Sequence, residues 1–212
     1  VDMHRFCPGT RDQGLIESLG LAGCTVIGCV GTMSGWYLRQ DMLSYIALCA
    51  SQLANVKVLV VTREDHDQLQ ADAKLVGLDS DRLVLVRATF EEMPTFIRLM
   101  DFGLFFIRST FSKKGSAATK LGEFLACGVP VVINAGVGDS DRIVRRGRTG
   151  VVLSDMTRKS FEESMEAVQA MLGDSDTRHR CRQTAEEIFD LDQGVRAYKN
   201  LYNQLFRKTH VN

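Results

Sequence analysis

The sequence predicts an α/β fold, in which a Rossmann-like, doubly wound parallel sheet of six strands carries helices on both faces and extra helices at its C-terminal end. Two observations support this prediction. Short apolar segments alternate with segments of helical periodicity, as is typical of parallel strands joined by helices. The chain of 212 residues is 45% hydrophobic, which is enough to bury the core of one large domain or two small ones.

The predicted strands are short runs of apolar and β-branched residues, as expected for strands that are covered on both faces. The first strand ends at Gly31, and the second ends at Thr62 and Arg63. In a doubly wound sheet, ligands bind beyond the carboxyl ends of the strands, so the residues that follow each strand are candidates for a site. The strands are predicted at residues 25–30, 56–62, 83–86, 103–107, 129–133 and 150–153.

The predicted helices carry apolar residues three and four positions apart. Thr89 and Glu92 have the spacing of a capping box, which predicts a helix that begins at Thr89 and ends near Met100. Before the fifth strand, Gly128 stands where a helix normally ends, and Pro130 cannot continue a helix. The other helices are predicted at residues 37–53, 65–76, 142–146, 159–172, 176–189 and 194–206.

The charge balance gives no support for a nucleic-acid-binding protein. The chain contains 26 Lys and Arg residues and 26 Asp and Glu residues, so its formal net charge is zero. Nucleic-acid binders usually carry a basic excess instead. The sequence also contains no signal-peptide pattern and no run of about 18 apolar residues.

The six cysteines include no Cys-x-x-Cys pair, and four of them lie in apolar runs, where free cysteine behaves as a small hydrophobic residue. We therefore expect no disulfide and no structural zinc site, and this cysteine usage favours the cytoplasm. The histidines lack metal-ligand spacing, so we expect them at the surface and predict no metal site. They are His4, His66, His179 and His210.

Residues 116–134 are the most informative segment of the chain. They predict a helix followed by a buried strand, and the helix begins near Thr119 and Lys120 after a polar loop. Free backbone amides and the positive end of a helix dipole favour a phosphate there. Glu123, one turn further on, is suited to accept hydrogen bonds from a ribose diol. In the alternative interpretation, Lys120 and Glu123 form a solvated pair on the helix surface.

Other strand ends carry weaker candidates. The loop of small residues that begins with Gly31 and Thr32 lacks the Gly-x-Gly-x-x-Gly pattern, so no nicotinamide site is predicted. It lets a pyrophosphate approach the backbone, although an ordinary turn has the same composition. Two lysines in residues 108–116, together with the helix N-terminus that follows, suit a pyrophosphate. Alternatively, these residues form an ordinary polar, mobile loop, which would have the same composition. We expect Asp139 and Asp141 to cap a helix rather than to bind a sugar or a metal.

Residues 119–132 resemble the donor-site helix and strand of a family of nucleotide-sugar glycosyltransferases, the glycosyl transferases group 1. These GT-B enzymes have two Rossmann-like domains and are related to glycogen and sucrose-phosphate synthases. They carry a glutamate and then an apolar Ala-Cys-Gly-x-Pro-Val-Val run, which here extends from Glu123 to Val132. Residues 1–6 resemble the segment by which the family enters its second domain, and residues 136–152 resemble its next loop, helix and strand.

The resemblance implies that residues 1–212 form a single Rossmann-like donor-binding domain of a larger hexosyltransferase. The acceptor-binding N-terminal domain would be a partner outside this chain. The parent protein would be cytoplasmic, and the resemblance also allows the parent to associate peripherally with a membrane. In the family, the terminal helix, here at residues 190–206, often packs toward the first domain. Alternatively, this helix simply covers its own sheet.

The resemblance also implies a nucleoside-diphosphate sugar as donor, no further cofactor, and retention at the anomeric carbon. The glutamate of the motif would bind the ribose, and the lysine and the threonine backbone before it would bind phosphate. The loop after the first strand and a basic residue after the second would also contact the phosphates, and residues 87–89 would lie near the base. No catalytic residue is assigned. The implied donor-binding residues are Glu123, Lys120, Thr119, Thr32, Gly31 and Arg63.

Two departures from the family pattern keep other functions open. Family members carry a second glutamate eight positions before the one that corresponds to Glu123, and it normally touches the donor sugar. In this sequence Gly115 stands at that position. The loop after the first strand usually supplies Arg and Lys, whereas here it supplies Thr32, Met33 and Trp36. A non-catalytic Rossmann-like binding module and half of a sugar-nucleotide epimerase are therefore the alternatives.

Overall fold

The computed structural model describes residues 1–209 of the chain. They form a six-stranded parallel sheet in the order β3-β2-β1-β4-β5-β6, with helices between the strands, so the predicted doubly wound α/β fold is confirmed. The strands are β1 (Thr25–Val30), β2 (Val56–Val61), β3 (Leu83–Val86), β4 (Phe102–Phe105), β5 (Val131–Asn134) and β6 (Gly150–Leu153). The helices are α1 (Gln13–Ser18), α2 (Arg39–Gln52), α3 (His66–Leu75), α4 (Met93–Arg98), α5 (Thr119–Ala126), α6 (Ser140–Gly147), α7 (Arg158–Gly173), α8 (Thr177–Ile188) and α9 (Leu191–Thr209).

One helix was missed, and several predicted boundaries were wrong. Helix α1 was not predicted. Helix α4 begins at Met93 rather than at Thr89, because the hydrogen bonds between Thr89 and Glu92 close a turn that precedes the helix. Strand β5 begins at Val131 rather than at Val129, because the amide of Val129 donates to a carbonyl of α5 and completes the end of that helix.

The strand order reverses between β1 and β4. From β1 the chain builds one side of the sheet through β2 and β3, and it then returns to build the other side from β4 to β6. The loops after β1 and β4, residues 31–38 and 106–118, therefore leave the sheet in opposite directions and leave a crevice between them. This switch point is the place where open α/β sheets normally bind their ligands.

Helix α5 packs beside the switch point, and an aromatic contact determines its position. The ring of Phe124 on α5 is buried and stacks on Phe105 of β4, with ring centroids 6.3 Å apart and an interplanar angle of 7°. Gly103 of β4 makes room for this ring, because a Cβ at Gly103 would lie 2.6 Å from it. The sheet therefore determines where the side chains of α5 lie relative to the switch point.

Residues 1–6 lie against α5 and the end of α8. The Val1 nitrogen donates to the carbonyl of Phe189 at 2.5 Å, and the amide of Leu191 donates back to the carbonyl of Val1 at 3.0 Å. The guanidinium of Arg182 on α8 donates to carbonyls of residues 1–6 and to the last turn of α5. Residue 1 is thus hydrogen-bonded both to the residue that follows α8 and to the first residue of α9.

Helix α9 exposes an apolar face. The alternative in which this helix covers its own sheet is wrong, since Val195, Tyr198, Leu201 and Tyr202 are all exposed. Among the helices of residues 1–209, none combines the length and the apolar character that a bilayer-spanning segment requires.

Substitution Gly103→Ala is expected to reduce the free energy of unfolding by about 1–3 kcal/mol, because the added methyl group overlaps the buried Phe124 ring. Urea denaturation measures the effect. Gly173→Ala is the control, because no heavy atom lies within 4 Å of its added Cβ, and in helix α7 it should leave the stability unchanged or raise it by up to about 1 kcal/mol. Equal effects of the two substitutions would contradict the packing described for α5.

Candidate functional site

A cavity of about 570 Å³ opens at the carboxyl ends of β1, β2 and β3. Its volume is in the range of small-molecule sites, and it combines an apolar wall with a polar side. Three of the residues predicted to bind a donor, Gly31, Thr32 and Arg63, contribute to its lining. The lining residues are Gly31, Thr32, Val61, Thr62, Arg63, Glu64, Ala88, Phe90 and Met93.

Phe90 is part of the apolar wall, and sequence reasoning did not single it out. Its side chain is 53% exposed. The first segment of the chain supports the ring, since the Arg5 guanidinium lies 5.0 Å from its centroid and the Phe6 ring lies 5.6 Å away. The sequence feature that could have identified Phe90 is that a large aromatic residue stands shortly after the third predicted strand. The shape of the cavity therefore depends on residues that are distant in sequence.

Glu64, also missed by sequence reasoning, fixes the loop after β1. Its carboxylate accepts hydrogen bonds from the hydroxyls of Thr32 and Ser34, and Arg39 of α2 donates to it at 3.0 Å. Burial acts to raise the pKa of Glu64, but the hydrogen bonds from Ser34, Thr32 and the Met33 amide, together with Arg39, outweigh burial and lower it to about 2. Glu64 is therefore ionised at neutral pH. The sequence feature that could have identified Glu64 is its position directly after the predicted end of the second strand.

Lys120 is buried behind the same loop, with 9% of its surface exposed. Its Nζ donates to the carbonyl of Val30 at 2.7 Å and to that of Thr32 at 3.5 Å, and it lies 3.8 Å from the centroid of the Tyr37 ring. Burial lowers the pKa of Lys120 to about 8, against the attraction of nearby acidic groups. The alternative of a solvated Lys120–Glu123 surface pair is therefore wrong, because the loop after β1 covers this face of α5.

Thr119 and Glu123 lie on α5, outside the lining of the cavity. Thr119 is exposed at the first position of the helix, and Ala118 before it supplies no side-chain cap, so the first amides remain available for another acceptor. Glu123 is half-buried, and burial raises the pKa of its carboxyl group. The predicted residues thus fall into two neighbouring groups, which Lys120 joins by its bonds to the loop after β1.

The two aspartates near α6 have structural contacts. Asp139 precedes the helix without making the capping hydrogen bond that the sequence predicted, and it pairs instead with Arg142 at 3.0 Å. Asp141 lies in the first turn and accepts a hydrogen bond from the Gly136 amide at 3.5 Å. The Arg142 side chain thus replaces the expected backbone partner of Asp139.

Two of the three histidines within residues 1–209 lie at the surface. His4 and His179 are exposed, as predicted. His66 is half-buried, and its Nε2 lies 3.2 Å from the carbonyl oxygen of Thr62. His210 lies outside the described residues.

Comparison with known families gives one match. The sequence model of a family described as glycosyl transferases group 1 matches residues 24–174 of this chain. No curated protein sequence matches the chain significantly.

Solved structures share the fold at low sequence identity. The sucrose-phosphate synthase of Thermosynechococcus elongatus is 17% identical, with a TM-score of 0.71 over 98% of this chain and 51% of that protein. Anabaena HepE, solved in complex with UDP-glucose, is 17% identical, with a TM-score of 0.73 over 96% and 56%. The C-terminal domain of LpcC, a group 1 family glycosyl transferase from Francisella tularensis, is 17% identical, with a TM-score of 0.66 over 90% and 99%. The chain thus spans about half the length of the first two proteins.

The pKa of Glu64 predicts a pH-dependent contribution to stability. The folded pKa of about 2 lies below the ordinary value of 4.5, so the stabilisation is present above pH 4.5 and is lost as the pH falls toward 2. At neutral pH, Glu64→Gln should lower the free energy of unfolding by about 1–2 kcal/mol, and the difference from wild type should shrink in acid. Urea denaturation at a series of pH values measures this.

Glu162→Gln is the matched control, since Glu162 forms an exposed pair with Arg158 at 2.6 Å. It should cost no more than about 0.5 kcal/mol at any pH. A Glu64→Gln effect that stays constant down to the acid limit would show that the charge of Glu64 does not stabilise the loop.

Proposed function

Because this chain belongs to the glycosyl transferases group 1, we propose that it is the donor-binding half of a glycosyltransferase. It binds a nucleoside-diphosphate sugar, and the complete protein transfers the sugar to an acceptor with retention at the anomeric carbon. The observation that carries this proposal is the cavity beyond β1–β3, whose polar side continues through Thr32 to the buried ammonium group of Lys120 on α5.

In this proposal, the nucleoside lies between the apolar wall and α5. The base packs against Phe90 and Met93, which provide a ring face and a flexible apolar surface at the end of β3. The carboxylate of Glu123 accepts hydrogen bonds from the ribose hydroxyls. These bonds favour the ionised form of a carboxyl group that burial otherwise disfavours.

The diphosphate lies over the loop after β1 and the first turn of α5. The uncapped amides at Thr119 and the positive end of the helix dipole attract it. Gly31 has a φ of 74°, which glycine adopts at low cost, and its missing side chain lets the phosphates approach the backbone. Lys120 supplies a positive charge beneath this loop, with its Nζ 3.7 Å from where a Cβ of Gly31 would lie. Arg63 supplies an exposed cation at the cavity edge.

These positive groups stabilise the charge that develops on the leaving diphosphate when its bond to the sugar breaks. The acceptor pocket and the group that activates the acceptor belong to a part of the protein beyond this chain, against which the apolar face of α9 packs. Two findings support this division. The chain spans about half of Anabaena HepE, and the structure of HepE is a complex with UDP-glucose.

A non-catalytic nucleotide-binding module is the second candidate. It is favoured by Gly115 at the position of an expected acidic residue and by Trp36 in a loop where the family usually has basic residues. In that case the complete protein binds the nucleotide without transferring a sugar.

Calorimetric titration of the chain with UDP, GDP, ADP and CMP tests the donor site. We expect saturable binding of one nucleotide, and Glu123→Ala should weaken it about tenfold or more, because hydrogen bonds to a charged group are lost. Glu166→Ala is the matched control, since Glu166 is an exposed glutamate on α7, and it should leave the affinity unchanged. Binding that is insensitive to Glu123→Ala, or no binding of any nucleotide, would contradict the proposal.

The affinity for the nucleotide should fall as the pH rises through about 8, because Lys120 then loses its proton and the loop after β1 loses the charge beneath it. A terminal phosphate has its second pKa near 6, so the charge of the nucleotide is constant in this range. Titrations across this pH range measure the effect. Lys120→Met should bind more weakly and without this pH dependence, and unfolding curves at each pH would reveal a loosened fold. A flat wild-type profile would contradict a role for the charge of Lys120.

A further inference from the structure

Three cations and two aromatic rings lie together on one side of the switch point. We name this surface the switch-point rim. Trp36 is 53% exposed and Phe111 is 88% exposed, so both rings face solvent. Exposed aromatic side chains surrounded by charged groups are typical of binding surfaces. The rim consists of Trp36, Arg108, Phe111, Lys113 and Lys114.

Backbone hydrogen bonds hold the two halves of the rim together. The amide of Arg108 donates to the carbonyl of Trp36 at 2.8 Å, and residues 37 and 107 form an antiparallel bridge. On the other side, the amide of Gly138 donates to the carbonyl of Lys113 at 2.9 Å. A Cβ at Gly138 would lie 1.9 Å from the carbonyl oxygen of Ser116, so this loop packs tightly against the loop after β5. The rim therefore presents its side chains from an ordered backbone.

The cations of the rim are positioned without being neutralised. The Nζ of Lys113 lies 4.4 Å from the Trp36 ring centroid, and the Nζ of Lys114 lies 5.8 Å from that of Phe111. Within residues 1–209, no carboxylate is within ion-pair distance of either lysine or of Arg108. A cation–π contact restricts where an ammonium group lies but leaves its charge available, whereas a carboxylate would cancel that charge.

We infer that the switch-point rim binds a sugar that carries a carboxylate. The sugar ring packs on Trp36, and its anionic group replaces solvent around Lys113 and Lys114. An uncharged sugar gains only the ring contact. A chain whose total charge is zero thus concentrates three positive charges on the rim.

This inference rests on the proposed function and makes it more specific, since the rim adjoins the loop after β1 that would contact the donor diphosphate. The anionic sugar comes either from the donor or from the acceptor. In the first case the charge is part of the nucleotide sugar. In the second case it is part of a saccharide that binds next to the nucleotide.

Trp36 is the single tryptophan of the chain, so tryptophan fluorescence reports on the rim alone. For the donor arm, the chain is titrated with UDP, UDP-glucose and UDP-glucuronate. For the acceptor arm, it is titrated with methyl glucuronide and methyl glucoside, each with and without UDP. We expect the charged member of at least one pair to bind about tenfold more tightly than the neutral member, as expected for one added charge-assisted contact.

The double substitution Lys113→Gln and Lys114→Gln should abolish this preference, measured as the ratio of the affinities for the charged and the neutral member of each pair, so that a change in the affinity for the diphosphate itself cancels. Lys159→Gln is the control, since Lys159 is an exposed lysine on α7 that pairs with Glu163 at 3.7 Å, and it should keep the preference. Circular dichroism checks that each variant is folded.

The two proposals fail in different ways. If UDP binds but neither pair shows a preference for the charged sugar, the inference about the rim is overturned and the donor site stands. If no nucleotide binds, the proposed function fails, and the methyl glycosides alone decide whether the rim recognises an anionic sugar. A preference that survives the double substitution would also overturn the inference, since the lysines would then not be its source.

Discussion

The ammonium group of Lys120 is the interaction on which the rest of the site depends. A buried charge is costly unless it is hydrogen-bonded, and this one is satisfied by the carbonyls of Val30 and Thr32 and by the face of Tyr37. The carbonyls belong to the end of β1 and its loop, whereas the lysine belongs to α5. Satisfying one charge therefore requires the loop and the helix to keep a single relative position. Glu64, which follows β2, accepts hydrogen bonds from Thr32 and Ser34 of the same loop. The loop is therefore held between the ammonium group of Lys120 and the carboxylate of Glu64.

The fold and the family were predictable because both depend on local patterns. Apolar runs such as residues 25–30 and 56–61 predict strands directly, and the run from Glu123 to Val132 is a continuous motif. The fold predicted from the apolar runs and the family predicted from the motif are both confirmed. The capping-box pattern at Thr89 identified real hydrogen bonds. It misplaced the helix, because the same bonds also close an isolated turn.

The site was less predictable because its contacts join residues that are distant in sequence. Helical spacing placed Lys120 on the surface, since periodicity does not reveal that the loop after β1 covers this face. Glu64 and Phe90 acquire their positions from Arg39 and from residues 5 and 6, and no short motif contains these pairs. The roles of Glu123 and Arg63 toward a donor stay predictions.

The pairing of Val1 with Phe189 and Leu191 has an evolutionary consequence. The first and last residues of the body formed by residues 1–190 therefore lie side by side. A unit whose two ends are adjacent can be inserted into another protein, or exchanged between proteins, without rerouting the chain around its sheet. Recombination can therefore transfer this body as a whole, and its neighbours can diverge while its internal packing stays intact.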